Sequence, residues 1–382
     1  MENEEHFHTI VIGGGQAGLA AAYYLSRLGV DFVVLEAQAR LGEPWRKRWD
    51  SLRLFTPSKF NGLPGMPFPR ADFYFPTKDE VGQYIQDYAE RFSLPVRLNA
   101  TVNSLSQSDG HYCVTASQNT FLTNNVIVAT GAYQQPVIPS FAQELNPGIV
   151  QLHSSGYRNP EQIPDGNVLV VGAGNSGAEI AVELAASGRK VWLAGRNVGR
   201  IPADTLGRIF GGRPYWFFVS RVLSQDTRIG RKVREKALQQ GTPLIRLSPS
   251  DVTNAGVARC PRVSGSNQGL PCLEDGQVLE VTGVVWATGF RNDFNWIRLP
   301  IFDSHGYPLH DRGTVPRRPG VYFLGLHFQT ALSSAFLGGV GADARYVVER
   351  IGALSTRQTG LGNRQHRKET ATQGIQEGAS FD

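Results

Sequence analysis

Two glycine-rich segments of the chain have the residue spacing of a phosphate-binding turn. The first runs from Gly13 to Gly18 and the second from Gly172 to Gly177. Such a turn uses its glycines for three purposes: the tight bend, the close approach of backbone to a pyrophosphate, and the packing of helix on strand. The phosphates lie at the helix N-terminus, where free N–H groups and the helix dipole favour an anion. We therefore predict nucleotide contacts at Gly13, Gly15, Gln16, Ala17 and Gly18 and at Gly172, Gly174, Asn175, Ser176 and Gly177.

The residue that follows the second strand differs between the two copies. In the first copy this residue is Glu36, whose carboxylate can accept hydrogen bonds from both ribose hydroxyls of an adenosine, with Ala37 beside it. The second copy has Gly195 at this point, followed by Arg196 and Asn197. A guanidinium suits a 2′-phosphate. The pattern favours FAD or NAD in the first site and NADPH in the second; the alternative is that the acid and the basic run are solvated surface residues.

These segments belong to a longer internal repeat. In each copy a short apolar strand, the glycine turn, a helix that ends at a glycine and a second apolar strand follow one another within about thirty residues. A third element also repeats, because Ala129-Thr130-Gly131 and Ala287-Thr288-Gly289 each follow an apolar strand. The repeat predicts an α/β fold with two Rossmann-like dinucleotide-binding domains.

The composition is that of a globular protein with a locally basic surface. The chain has 382 residues, 41% hydrophobic and 19% charged, and a net charge of +5. This is more chain than one hydrophobic core usually serves. The segment from Arg189 to Lys236 contains twelve basic residues and only three acidic ones. The resulting positive electrostatic field suits a polyanionic nucleotide as well as a nucleic acid. Because zinc-finger spacing and RNA-binding aromatic signatures are missing, we predict no nucleic-acid partner.

The sequence disfavours several other classes of protein. Cys113, Cys260 and Cys272 are far apart and form no Cys-x-x-Cys pair, so neither a redox dithiol nor a metal site is predicted. The N-terminal residues are acidic, unlike those of a secretory or mitochondrial leader. No apolar run approaches the ~20 residues of a membrane span. We therefore expect a cytoplasmic protein without a stable membrane span.

Together these motifs resemble the flavin-containing monooxygenases, class B flavoprotein monooxygenases whose short bacterial type is related to the pyridine nucleotide-disulfide oxidoreductases. The resemblance covers residues 8–352 and includes Gly42-Glu43-Pro44-Trp45-Arg46 and the run from Ser51 to Pro57, which in this family lies along the isoalloxazine. The run from Gly320 to Leu326 looks like the strand that completes the FAD domain. The resemblance implies FAD in the first site and NADPH in the second, with further contacts at Trp45, Arg46, Val102, Ala129, Thr130, Gly131, Ala287, Thr288, Gly289 and Gly325.

The resemblance also implies a domain order and a reaction. The FAD-binding domain would be discontinuous, residues 1–155 and 306–354, with the NADPH-binding domain, residues 156–305, inserted into it. Residues 355–382, rich in Gln, Thr and Gly, are expected to form a disordered tail. The implied reaction inserts one oxygen atom from O2 into a small organic substrate through a C4a-(hydro)peroxyflavin. An NADPH-dependent flavin reductase or oxidase without oxygen insertion and a nucleotide-sensing accessory protein are the alternatives, and a homodimer is compatible with each.

Two departures from the family pattern bear on the chemistry. The stretch Phe-x-Gly-x-x-x-His between the domains is degenerate here, and we interpret His153 as a hydrogen-bonded residue of the domain junction. Several N- and S-oxygenating members carry an Asn where this chain has Phe55, so the stabilising donor must come from elsewhere or the chemistry differs. His327 and Gln329 are expected near the flavin or nicotinamide, His327 either as an acid/base or as a fixed donor. The catalytic residues stay open, with Phe55, His327 and Gln329 as candidates.

Overall fold

The structure, a computed structural model, describes residues 4–201, 209–240 and 243–353. It has a mixed α/β fold in which helices pack against two large sheets. The tail predicted over residues 355–382 lies outside the described residues. Within the described ranges, no helix is both long and apolar enough to cross a membrane.

Strands and helices alternate around each glycine turn, and runs of consecutive strands fill much of the remaining chain. The strands are β1 (Glu4–Ile12), β2 (Phe32–Leu35), β3 (Val96–Arg97), β4 (Val102–Ser108), β5 (His111–Ala116), β6 (Asn119–Val128), β7 (Gln135–Pro136), β8 (Val150–His153), β9 (Val168–Val171), β10 (Val191–Ala194), β11 (Ala258–Cys260), β12 (Val263–Asn267), β13 (Leu270–Leu273), β14 (Gly283–Trp286), β15 (Phe290–Arg291) and β16 (Val321–Phe323). The helices are α1 (Gln16–Arg27), α2 (Glu43–Arg46), α3 (Lys78–Arg91), α4 (Asn175–Ala186), α5 (Arg213–Phe217), α6 (Arg228–Gln240), α7 (Pro249–Asn254) and α8 (340–353).

The two large sheets share one strand order around their glycine turns. The first has the order β3-β2-β1-β6-β5-β4, and β16 also pairs with β6. The second has the order β11-β10-β9-β14-β8 and is parallel throughout. In both, the strand before the glycine turn lies between the next strand of the repeat and the strand that leads to Ala-Thr-Gly. The repeat seen in the sequence is therefore a repeat of topology.

The buried faces explain why these segments form strands and helices. β2 and β14 are buried at every residue, as expected of parallel strands covered on both faces. Helix α1 buries its small residues against the first sheet, because alanines let helix and strand approach closely. Helix α3 begins at Thr77, whose hydroxyl accepts from the Glu80 N–H while the Glu80 carboxylate accepts from the Thr77 N–H, a capping box.

The connections between the two sheets differ in detail from the predicted domain borders. Strand β8, placed by prediction in the first domain, pairs in parallel with β14 of the second sheet. The segment 294–301 packs into the core of the first sheet, and Leu105 forms a β-bridge with Ile297. The chain thus enters the second sheet before residue 155 and returns to the first before residue 306. The pairing of strands decides where the chain passes from one sheet to the other. Strand β8 has only four residues, so its sequence does not indicate which sheet it joins.

Candidate functional site

The first glycine turn has one open position and two closed ones. Gly13 has a φ of +106°, and a Cβ added there would lie 2.5 Å from the Ala129 carbonyl oxygen. A Cβ on Gly18 would lie 1.9 Å from the Gly13 carbonyl oxygen. A Cβ on Gly15 would meet no atom within 4 Å. Gly13 and Gly18 are therefore required by the turn and by helix packing, whereas Gly15 leaves space for a ligand.

The second turn repeats this arrangement position by position. Gly172 has a φ of +109°, and its added Cβ would lie 2.2 Å from the Ala287 carbonyl oxygen. A Cβ on Gly177 would lie 1.8 Å from the Gly172 carbonyl oxygen, whereas one on Gly174 would meet nothing within 4 Å. Each Ala-Thr-Gly segment therefore lies against the first glycine of its own turn, and both copies of the repeat share this contact.

Glu36 is held at the first turn by backbone donors. The Gly14 N–H donates to one carboxylate oxygen of Glu36 at 2.7 Å, and the Gln38 N–H donates to the other at 2.8 Å. Ala37, which lies between Glu36 and Gln38 in the chain, is exposed. Ionised carboxylate oxygens retain further lone pairs for ribose hydroxyls. Helix α1 has no side-chain cap at Gly15, so its first N–H groups face the open space. This donor set fits the adenosine diphosphate part of FAD.

The second turn carries basic residues where the first carries Glu36. Gly195 has a φ of +140°, and an added Cβ there would lie 3.0 Å from the Ala173 nitrogen. The end of β10 therefore lies directly against the second glycine turn. Arg196 and Asn197 follow and are exposed; Arg196 makes no hydrogen bond or ion pair with the described residues. Arg259 on β11 donates to the Gly195 carbonyl oxygen at 3.0 Å. No sequence motif points to Arg259, because its position beside Gly195 depends on the order of the strands in the sheet.

Several predicted contact residues tie the turns to distant segments. The Gln16 side-chain amide donates to the Ala335 carbonyl oxygen at 3.1 Å. Asn175 donates to the Pro243 carbonyl oxygen and accepts from the Ile245 N–H, both at 3.0 Å. Of the other predicted contact residues, Ala17 is buried against Gly325, Ser176 is half-buried on α4, and Val102 is half-buried at the start of β4.

Trp45 and Arg46 occupy α2, beside the first sheet. Trp45 is half-buried and packs against the cores of both sheets. The Arg46 guanidinium donates to the Leu41 carbonyl oxygen at 2.6 Å and to Gln83 at 3.2 Å, and it packs over Gly82 of α3. The visible bonds of Arg46 therefore hold α2 on α3, and its contact with FAD stays a prediction.

The two Ala-Thr-Gly segments meet through a short ribbon. Strands β7 and β15 pair antiparallel, and the Val137 N–H donates to the Gly289 carbonyl oxygen at 3.0 Å. The Thr288 hydroxyl donates to the Val137 carbonyl oxygen, and Thr130 accepts from Gln134 at 2.7 Å. This ribbon links the carboxyl edges of the two sheets, and we name it the junction ribbon, residues 135–137 and 289–291.

His153 is fixed at the junction ribbon. Its Nε2–H donates to the Gly289 carbonyl oxygen at 3.0 Å, and its Nδ1 accepts from the Ser155 N–H at 3.2 Å. Burial lowers the pKa of His153, and Arg48 lowers it further, against the effect of the bond to Gly289. A neutral imidazole with both nitrogens engaged is a positioned junction residue, as interpreted from the sequence.

The three catalytic candidates have different surroundings. Phe55 is half-buried, with its ring edge-on to Phe336 at 5.2 Å. Gln329 is fully buried, and its Nε2 would lie 2.4 Å from a Cβ added to Gly313. Its side chain therefore packs directly against the backbone of Gly313. His327 makes no hydrogen bond within the described residues, and burial lowers its pKa. His327 lies edge-on to Tyr133 at 6.2 Å, so it alone of the three faces the junction.

Comparisons with known proteins agree with this geometry. Residues 10–205 match the family described as pyridine nucleotide-disulphide oxidoreductase. The chain is 39% identical over 345 residues to an uncharacterized CzcO-like oxidoreductase of Geobacillus kaustophilus, covering 90% of this chain and 97% of that protein. It is 27% identical over 406 residues to YUCCA9 of Arabidopsis thaliana, a probable indole-3-pyruvate monooxygenase, with 94% of each chain covered. It also resembles the solved flavin-containing monooxygenase from Stenotrophomonas maltophilia, with a TM-score of 0.76, 27% identity and coverage of 92% of this chain and 99% of that one.

The fold and the site define an FAD-dependent oxidoreductase whose cofactors are FAD and NADPH. The chain belongs to the pyridine nucleotide-disulphide oxidoreductase family and, within it, to the flavin-containing monooxygenases. The sequence-based predictions of family, enzyme class and cofactors are thereby confirmed. The individual contact residues stay predictions supported by the geometry above.

Proposed function

We propose that this protein is an NADPH-dependent flavoprotein monooxygenase that inserts one oxygen atom from O2 into a small organic substrate. The observation that carries the proposal is the pair of glycine turns with opposite selectors, Glu36 at one and Arg196 at the other, joined by the junction ribbon. Cys113, Cys260 and Cys272 are unpaired and lie on the separate strands β5, β11 and β13. The chain therefore has no cysteine pair that could carry out dithiol–disulfide exchange.

We further propose that the two sheets are the cores of two Rossmann-like domains, with the NADPH domain inserted into a discontinuous FAD domain. The pairing of β16 with β6 supports this layout, because it joins residues 321–323 to the N-terminal sheet. The junction ribbon joins the two domains next to both Ala-Thr-Gly segments. In this layout the borders at residues 155 and 306 move to the ends of β7 and β15.

The residues of this chain bind, orient and shield the reacting groups. When bound, NADPH supplies a hydride and FAD accepts it and then reacts with O2. Glu36 would hold the adenosine ribose of FAD, and the N-termini of α1 and α4 would hold the two pyrophosphates. Arg196 would select the 2′-phosphate of NADPH. An apolar cluster packs around Phe55, so water can be excluded there; its buried members are Phe60, Ile201, Tyr215, Val219, Leu223, Ile245, Phe328, Leu332 and Phe336.

A flavin reductase or oxidase is the second candidate, favoured by one observation. Phe55 offers no hydrogen-bond donor, and its ring packs edge-on against Phe336. Without a donor near the flavin, the oxygen adduct would lose stabilisation and release peroxide. The amide of the buried neighbour Asn61 is oriented toward Thr56, because it accepts from the Thr56 hydroxyl and donates one N–H to the Thr56 carbonyl oxygen.

Oxygen accounting separates these two candidates. Purified holoenzyme is supplied with NADPH and ¹⁸O2 in the presence of a panel of sulfides, amines, ketones and carboxylic acids. A monooxygenase yields a product that carries one ¹⁸O atom and less peroxide than the NADPH consumed. If peroxide equals NADPH for every compound in the panel, oxygen insertion is abandoned and the reductase or oxidase assignment stands.

A further inference from the structure

A guanidinium without an anionic partner lies at the junction ribbon. The Arg48 Cζ atom lies 4.8 Å from the centre of the Tyr133 ring and 5.8 Å from that of Phe290. Arg48 is half-buried, yet it forms no hydrogen bond or ion pair with any residue in the described ranges. A guanidinium carries five N–H donors in a planar fork and stays charged in proteins. Its donors are therefore available to a ligand.

The charges around Arg48 favour an anion. Burial lowers the pKa of Arg48, the neighbouring Arg158 lowers it further, and Tyr133 acts in the opposite direction. Arg158 spends donors on the Ser155 and Tyr157 carbonyl oxygens and brings a second positive charge. The neutral His153 stands edge-on to Phe290 at 4.9 Å. This part of the junction thus combines two cations, a neutral imidazole and aromatic rings.

Arg48 belongs to neither of the two glycine turns. Tyr133 lies two residues after Gly131, and Phe290 follows Gly289 directly, so the ring pair stands between the two Ala-Thr-Gly segments. The pyrophosphates have their own donors, which are the uncapped N-termini of α1 and α4 at Gly15 and Gly174. The Tyr133 side is open, because this side chain is 58% exposed. An anion that enters here reaches the junction from solvent.

We propose that Arg48 binds the carboxylate of the substrate, with Tyr133 and Phe290 as flanking aromatic walls. A carboxylate matches the guanidinium in a planar, two-bond geometry, and the rings favour a planar organic acid. The substrate class is therefore a small, unsaturated or aromatic carboxylic acid. This inference rests on the proposed function in one respect, since it assumes that the substrate reacts at the junction.

Ligand binding to oxidised holoenzyme tests the proposal without turnover. Benzoate and its neutral isostere benzamide are titrated, and the change in flavin absorbance gives each Kd. We expect benzoate to bind at least tenfold more tightly than benzamide in the wild-type protein. Arg48→Gln should abolish this preference and leave the benzamide Kd unchanged, while Arg48→Lys retains part of it. Arg350→Gln, which removes an exposed guanidinium 5.0 Å from the Tyr346 ring, is the matched control and should behave as wild type.

Other outcomes overturn the proposal. Equal affinities for benzoate and benzamide in the wild type would refute a carboxylate site. If Arg48→Gln weakens the binding of NADP⁺ and leaves that of benzoate unchanged, the anion is a nucleotide phosphate. FAD content and melting temperature verify that each variant folds; should Arg48→Gln fail to fold, Tyr133→Leu must weaken benzoate selectively. A benzoate preference that depends on Arg48 would stand even if oxygen accounting showed only peroxide, so the two proposals fail separately.

Discussion

Replacing Gly15 with alanine should separate cofactor binding from folding. The backbone at Gly15 is extended, with φ −78° and ψ −173°, and an added Cβ meets no atom within 4 Å. Reduced freedom of the unfolded chain favours alanine by about 0.4–1 kcal/mol. Alanine is a poorer N-cap than glycine, by roughly 0.5–1 kcal/mol. These effects oppose each other, so the apoprotein should change in stability by less than about 1 kcal/mol, or a few degrees in Tm.

The effect on FAD should be larger than the effect on stability. The new methyl group would occupy the open space that we assign to the pyrophosphate. The loss of one charge-assisted hydrogen bond costs about 1.5–3 kcal/mol, which corresponds to an increase in Kd of about ten- to a hundredfold. Deflavinated protein is titrated with FAD by flavin fluorescence, and the Tm of each apoprotein is measured in parallel.

Gly18→Ala is the matched control for this prediction. Its Cβ would lie 1.9 Å from the Gly13 carbonyl oxygen and 3.2 Å from Val11 Cγ1, so backbone must move. Overpacking of this kind costs about 1–3 kcal/mol or more, and we expect a lower Tm or no folded protein. Wild-type FAD affinity in Gly15→Ala, or a loss of apoprotein stability equal to that of Gly18→Ala, would refute the assignment of the open position to the cofactor.

Three further predictions concern selectivity, pH and oxygen chemistry. Arg196→Ala should raise the NADPH Kd about ten- to a hundredfold and leave the NADH Kd unchanged; equal losses would make Arg196 structural. Burial, aided by the positive charge of Arg234, lowers the pKa of His310 from 6.5 to about 4. As the pH drops from 6.5 to 4, the unfolded chain is therefore protonated at His310 before the folded protein, and the free energy of unfolding falls by up to about 3 kcal/mol. His310→Asn, which keeps an acceptor for the Gly313 N–H, should reduce this loss in denaturant titrations; an unchanged loss excludes His310 as its source. Phe55→Asn should lengthen the lifetime of the oxygen adduct in stopped-flow traces, and an unchanged lifetime means that residue 55 does not face the flavin.

The sequence predicted the geometry of the two glycine turns, because that geometry depends on the local chain. Gly13 and Gly18 close against the backbone while Gly15 stays open, and the second turn repeats all three roles. Glycine is the one residue that satisfies the left-handed φ of Gly13 and the close contact of Gly18. Such requirements act within a few residues, so spacing alone reveals them, and the repeat removes the ambiguity of a single motif.

The remaining site residues depend on contacts between distant segments. Arg259 reaches Gly195 because β11 lies beside β10, an order that the sequence does not state. Arg48 is one of several basic residues in its segment, and its lack of an ionic partner is visible only once Tyr133 and Phe290 are brought together. Arg46 shows the opposite case, since the family resemblance suggests FAD while its bonds hold α2 on α3. Burial and pairing decide these roles.

Rapid mixing of the reduced protein with O2 tests the central claim most directly. The holoenzyme is reduced anaerobically with one equivalent of NADPH, mixed with oxygenated buffer and followed from the near ultraviolet to the visible. A monooxygenase should show a transient that absorbs in the near ultraviolet before oxidised flavin returns, and its lifetime should increase with NADP⁺. Return of oxidised flavin in a single phase, with peroxide equal to NADPH and no effect of NADP⁺ or substrate, would contradict the account.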